Sequence, residues 1–114
     1  MSQTRRYINP FNVIVNGDMS ASITGAEVSL RDVDDVALVY SWTGTAPLGE
    51  VKAYVQNGTS AWTALAIAPA AAVSGASGAN NIMITNVSFE KIRFDYVRTS
   101  GTGTLSATLT GKGR

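Results

Sequence analysis

The chain has 114 residues, enough for one domain and too few to close a second core. Charged residues make up only 15% of it, against about 25% in ordinary proteins, and the net charge is +1, which argues against a broad nucleic-acid footprint, since that needs clustered positive charge. There is no cysteine and no histidine, which excludes a disulfide framework, thiolate metal sites, and imidazole acid–base or nucleophile chemistry.

β-formers recur in short runs between Gly, Asn, Ser, Pro and Asp, and no stretch of a dozen residues carries helical periodicity with caps. Residues 1–10 read as an N-terminal arm: polar and basic through Arg5-Arg6, broken at Asn9-Pro10, and without the apolar run of a signal peptide. The first strand is expected at Phe11 to Val15, closed by Asn16-Gly17-Asp18. Short strands follow around 21–24 and 26–30, with Gly25 a bulge or bend between them. Arg31 to Asp35 reads as a charged turn. Val36 to Trp42 is apolar at nearly every position and predicts a central strand covered on both faces. Thr43 to Leu48, with Gly44 and Pro47, reads as a loop.

Gly49 to Gln56 alternates, with Val51, Ala53 and Val55 on one face and Glu50, Lys52, Tyr54 and Gln56 on the other. Asn57-Gly58 predicts a type I′ hairpin turn, and Trp62 starts the returning strand. Residues 69–80 are rich in Ala, Gly and Ser and read as a loop. The low-polarity stretch at 64–73 contains Pro69 and is far too short to span a bilayer. A strand is expected at 81–87 and a turn at 88–90. Lys91 to Thr99 alternates again, Ile92, Phe94 and Tyr96 facing one way, before a glycine turn at 100–103. Thr104 to Gly111 closes the domain with Leu105, Ala107 and Leu109 inward, and residues 112–114 form a short basic tail. The sum is an all-β, single-domain β-sandwich over residues 11–111, jelly-roll-like, with about eight antiparallel strands.

The eight carboxylates fall mostly in turns or on outward strand positions, where nothing raises their pKa, so the chain is read as no enzyme and as needing no cofactor. Asp32, Asp34 and Asp35 are the one weak candidate for a Ca²⁺ site. They lack the ligand spacing and glycine of an EF-hand, so a solvated turn is the reading preferred. Of the aromatic residues, Trp42, Trp62, Phe94 and Tyr96 are expected in the core and Tyr54 outside it. Candidate partner contacts are Arg5, Arg6 and Tyr7 on the arm, together with Tyr54.

Three stretches carry a resemblance: Tyr40 to Thr45 leading into Gly49 to Thr59, then Ala61-Trp62-Thr63, then Ile92 to Leu105 with its Ser100-Gly101-Thr102-Gly103-Thr104-Leu105 ending. Together they resemble a loose group of small bacteriophage virion proteins. The likeness covers roughly residues 36–111; it lacks that group's Asp in the hairpin, and the alanine-rich segment at 68–80 is longer. The resemblance implies a virion structural protein, a capsid decoration or cement protein or a vertex or spike protein, made in the bacterial cytoplasm and located in the virion. Its partners would be capsid or other virion proteins and further copies of itself, with no membrane and no specific nucleic acid. A carbohydrate- or receptor-binding module of a phage adhesin is the alternative. Outward-facing Tyr54 and Trp62 would favour that alternative.

Overall fold

A computed structural model describes residues 7–30, 33–67, 71–85, 87 and 89–113. The described residues form seven strands and no helix: β1 (Tyr7–Asp18), β2 (Val28–Ser29), β3 (Val33–Gln56), β4 (Thr63–Leu65), β5 (Ala71–Ser74), β6 (Ser77–Ile84) and β7 (Lys91–Gly113). All pairings are antiparallel.

The two long strands organise everything else. β3 and β7 pair along their whole length, from Val33↔Gly113 to Gln56↔Lys91, with the register interrupted between Val33 and Asp35 and again between Thr45 and Gly49. β1 and β2 lie along the far edge of β7, while β6, β5 and β4 follow one another along the far edge of β3. The result is a four-stranded ribbon folded at its waist into two facing layers. The first layer holds β1, β6 and the halves of β7 and β3 that pair between them. The second holds β2, β4, β5 and the other halves.

Backbone chemistry makes the fold at the waist. Ala46 and Gly101 both take positive φ, 47° and 80°. A side chain on Gly101 would run into the Ala46 carbonyl, so only glycine lets the two strands bend together here. Gly44 N–H donates to the Ala76 carbonyl at 2.7 Å, so the β5–β6 junction turns the same corner beside β3. Strands that change sheet through such bends are a known way of making sandwich corners.

The core lies between the layers. Leu38, Tyr40 and Trp42 face inward from the first layer, and Val51, Ala53 and Val55 from the second. Tyr40 and Trp42, two residues apart on one face, stack with centroids 5.8 Å apart. Their polar ends find backbone partners, Tyr40 Oη donating to the Ala72 carbonyl at 3.3 Å and Trp42 Nε1 to the Gly75 carbonyl at 3.2 Å. The buried aromatics Tyr40, Phe94 and Tyr96 each remove roughly 150–250 Å² from water, a large share of the stabilisation of a chain this short.

The sandwich and the inward and outward faces of residues 50–56, 92–96 and 104–109 match the sequence reading. Several local expectations are corrected. Residues 43–48 and 100–103 are bends inside continuous strands, not loops between strands. Val36 to Trp42 has one covered face, and Val39 is 58% exposed on the other. Residues 71–84, mostly expected as loop, are β5 and β6; small residues suit them because Gly78 lies against the Trp42 indole. Residues 21–30 give one isolated bridge, Ile23↔Tyr96, and the two residues of β2. Residues 7–10 of the expected arm and 112–113 of the expected tail are strand: β1 starts at Tyr7, paired with Lys112, and β7 runs to Gly113. Arg5 and Arg6 lie outside the described residues.

Candidate functional site

The molecule presents two outer sheet faces of opposite chemistry. On the second layer, strand alternation places Lys52, Tyr54 and Gln56 of β3 outward, opposite Asp95, Arg93 and Lys91 of β7. Trp62 joins them because the segment 57–62 returns the chain so that Thr63 pairs with Val55. The guanidinium of Arg93 stands 5.1 Å from the Tyr54 ring centroid and 4.8 Å from that of Trp62. A planar cation suits this position, since it stacks on ring faces and keeps its donors in plane. Asp95 fixes it from the side, Arg93 Nε donating to Asp95 Oδ1 at 3.0 Å, and the same oxygen accepts the Gly25 N–H. The looser pairs Lys52–Glu50 at 3.6 Å and Lys91–Glu27 at 3.9 Å complete a face of mixed charge.

The segment that carries Trp62 is itself fastened. Ser60 N–H closes a turn onto the Asn57 carbonyl at 3.0 Å, with Gly58 at φ 58°. Asn57 keeps negative φ, so the expected type I′ turn is replaced by a longer connection with glycine at the first central position. Gly58 N–H donates to Glu90 Oε1 at 2.6 Å, and Glu90 N–H to Asn57 Oδ1 at 2.9 Å, tying the tip to the start of β7.

The first layer's outer face is different. Ala37, Val39, Ser41 and Thr43 of β3 lie between Met83, Asn81, Ala79 and Ser77 of β6 and Thr110, Thr108, Ser106 and Thr104 of β7. None of these twelve side chains is charged. Asn12 of β1 continues the face and accepts a hydrogen bond from Thr108 Oγ1 at 3.0 Å. Among the described residues, charge returns at the ends, with Asp18 at one and Asp35 opposite Lys112 at the other. A shallow depression of about 280 Å³ lies at the Asp35–Lys112 end, with Met83 and Thr110 in its wall.

Of the Ca²⁺ candidates, Asp32 lies outside the described residues, and Asp34 and Asp35 are consecutive residues of β3. The register of β3 against β7 shifts between Val33 and Asp35, and both carboxylates are half-buried between the inward-facing Val33 and Val36. No cluster of three or more acidic, His or Cys side chains forms among the described residues. Among the described residues, three groups are shifted in pKa. The Ser20 backbone N–H, then the Ser20 hydroxyl, holds the exposed Asp18 carboxyl low, and burial pushes Tyr40 and Tyr96 up.

Tyr54 is outside the core, as the alternation of β3 requires. Trp62, expected in the core, stands half-exposed beside it; its position follows from the register of β4, which the predicted two-residue turn would have set differently. Arg93 was not singled out from sequence. The available signal was its outward position in an alternating strand, directly across from Tyr54. Tyr7 belongs to β1 and no longer to a free arm.

The chain matches no protein-family model and no curated protein sequence. Its fold is shared with a prophage protein. The SPBc2 prophage-derived protein YomS superposes with a TM-score of 0.62 at 16% identity, over 96% of this chain and 97% of that one. The PBSX exported protein XepA superposes with a TM-score of 0.63 at 20% identity, over 99% of this chain and 40% of XepA. A chain in the structure of infectious bursal disease virus Gx strain gives 0.63 at 9% identity, over 97% of this chain and 32% of that one. At these identities the likeness is one of fold.

Proposed function

We propose that this chain is a non-enzymatic bacteriophage virion structural protein, a capsid decoration or cement protein or a minor capsid protein of a vertex or spike. The observation that carries the reading is the end-to-end match with YomS, in which the same fold accounts for nearly the whole of a prophage-derived protein. The uncharged outer face of the first layer supports it. Such a face seats a neighbour without desolvating charge, and its Ser, Thr and Asn side chains supply hydrogen bonds at the contact. In this reading the partners are capsid or other virion proteins and further copies of the chain. Arg5 and Arg6 are proposed as contacts to such a neighbour, together with Tyr7 and Tyr54.

Co-sedimentation with phage particles of the source tests this reading. The full chain is expected to pellet with particles, and a variant lacking residues 1–6, which leaves β1 whole, is expected to bind them more weakly. A full chain that stays in the supernatant at every ratio overturns it. One observation favours a second reading, a carbohydrate- or receptor-binding module: Tyr54 and Trp62 share the outer face of the second layer. A glycan screen in which binding is lost on Trp62→Ala would decide for that reading.

A further inference from the structure

A sandwich that is not a closed barrel keeps sheet edges, and each edge presents unpaired backbone N–H and C=O groups to other chains. The edges of this fold are unequal. β2, β4 and β5 are two, three and four residues long, too short to template a partner strand. β1 is long but guarded: it carries Pro10, shifts register three times against β7, and holds Asn16 at φ 48°. β6 has none of these defences. Its eight residues, Ser77–Ile84, pair with β3 in unbroken register and contain no proline and no charge.

Two observations show which groups β6 offers. The Asn81 N–H donates at 2.8 Å to the side-chain Oδ1 of the preceding Asn80, so this amide is turned away from β3 and held only by a local side chain. Met83, on the same strand, is 74% exposed, the most exposed large apolar side chain among the described residues. An open backbone edge and an exposed apolar side chain therefore lie together, at the border of the uncharged outer face.

We infer that the outer edge of β6, which pairs with no strand among the described residues, is an interface where a second copy of this chain adds its own strand. The occupant follows from charge. Two antiparallel copies of Ser77–Ile84 related by a two-fold axis meet with no like-charge pair to separate them, and each copy sets its outward N–H groups against the outward C=O groups of the other. A strand's length of added ladder satisfies the outward amides, and Met83 is covered in the same step. The inference names the surface through which the copies in the proposed function would meet. It does not depend on the virion role, because it is tested without particles.

The test is the mass of the pure chain in solution by light scattering, with near-ultraviolet circular dichroism to confirm the fold. The wild type is expected to run at a multiple of the chain mass. Asn81→Pro removes the outward N–H without breaking the ladder to β3 and is expected to give the mass of one chain with an unchanged spectrum. The double variant A79K/M83K, which places charge on the same edge strand, is expected to do the same and serves if the proline variant does not fold. Ala72→Lys, exposed on β5 in the other layer, is expected to keep the wild-type mass. A wild type of single-chain mass at high micromolar concentration, or folded β6 variants that keep the wild-type mass, overturns the inference. Failure to bind particles leaves it standing, and the particle experiment is unaffected by its failure.

Discussion

Replacing Tyr96 by phenylalanine is expected to stabilise this protein. The side chain is fully buried, yet its hydroxyl finds no hydrogen-bond partner among the described residues. The ring lies across Gly49, where a Cβ would come within 2.7 Å of both Cε1 and Oη, so the phenol occupies space left by an absent side chain. Leaving a buried hydroxyl unsatisfied costs about 1–3 kcal/mol. Tyr96→Phe removes that penalty and keeps the ring, while the lost oxygen leaves a small void that offsets part of the gain. A net gain of about 1–2 kcal/mol would raise the urea midpoint by about 1 M, given the slopes of about 1–3 kcal/mol/M usual for small proteins.

The same substitution changes the alkaline limb. Burial raises the Tyr96 phenol above its ordinary value of 10.0, with nearby Arg98 opposing, and burial raises Tyr40 likewise, with Asn80 opposing. Above that ordinary value the unfolded chain has released these protons while the folded chain holds them. The unfolded state then binds fewer protons, and stability falls as pH rises. Tyr96→Phe should make this fall shallower, leaving the part that Tyr40 contributes. Urea titrations of both proteins at pH 7 and across the alkaline range measure both effects. A loss of stability at pH 7 comparable to the expected gain would refute the reasoning, because it would mean that the hydroxyl has a partner, such as a buried water.

Gly78→Ala places a Cβ 2.5 Å from Trp42 Cζ2 and should cost about 1–3 kcal/mol, with a changed near-ultraviolet spectrum; an unchanged midpoint would mean that the indole moves freely. Ala46→Gly relieves a left-handed backbone worth roughly 1–2 kcal/mol in a non-glycine residue, less about 0.5–1 kcal/mol of glycine entropy, so the urea midpoint should rise slightly. A fall would show that Ala46 is not strained. A double-mutant cycle on Arg93→Ala and Trp62→Ala should give a coupling of about 0.5–1 kcal/mol, and none if the ring merely lies nearby.

Much of the fold was legible because strand alternation is a local property. Residues 50–56, 91–97 and 104–110 declare their inner and outer faces through their own side chains, and a mostly uncharged surface follows from composition. Tyr54 could be placed outside for the same reason. The absence of His and Cys narrowed the chemistry before any coordinates. What the sequence could not declare is whether a glycine between two strands ends them or bends them. Gly44 and Gly101 read as loop residues, and only the pairing of β3 with β7 on both sides of the waist keeps the strands continuous. Val36 to Trp42 likewise looks buried on both faces, because nothing local reports that no second sheet covers Val39. Trp62 beside Arg93 depends on a register set by a turn tied down at Glu90, more than thirty residues away in sequence. Alternation and composition act between neighbours in the chain. Bends, covered faces and ring-on-cation contacts depend on which distant segments pack together, and those the tertiary structure alone decided.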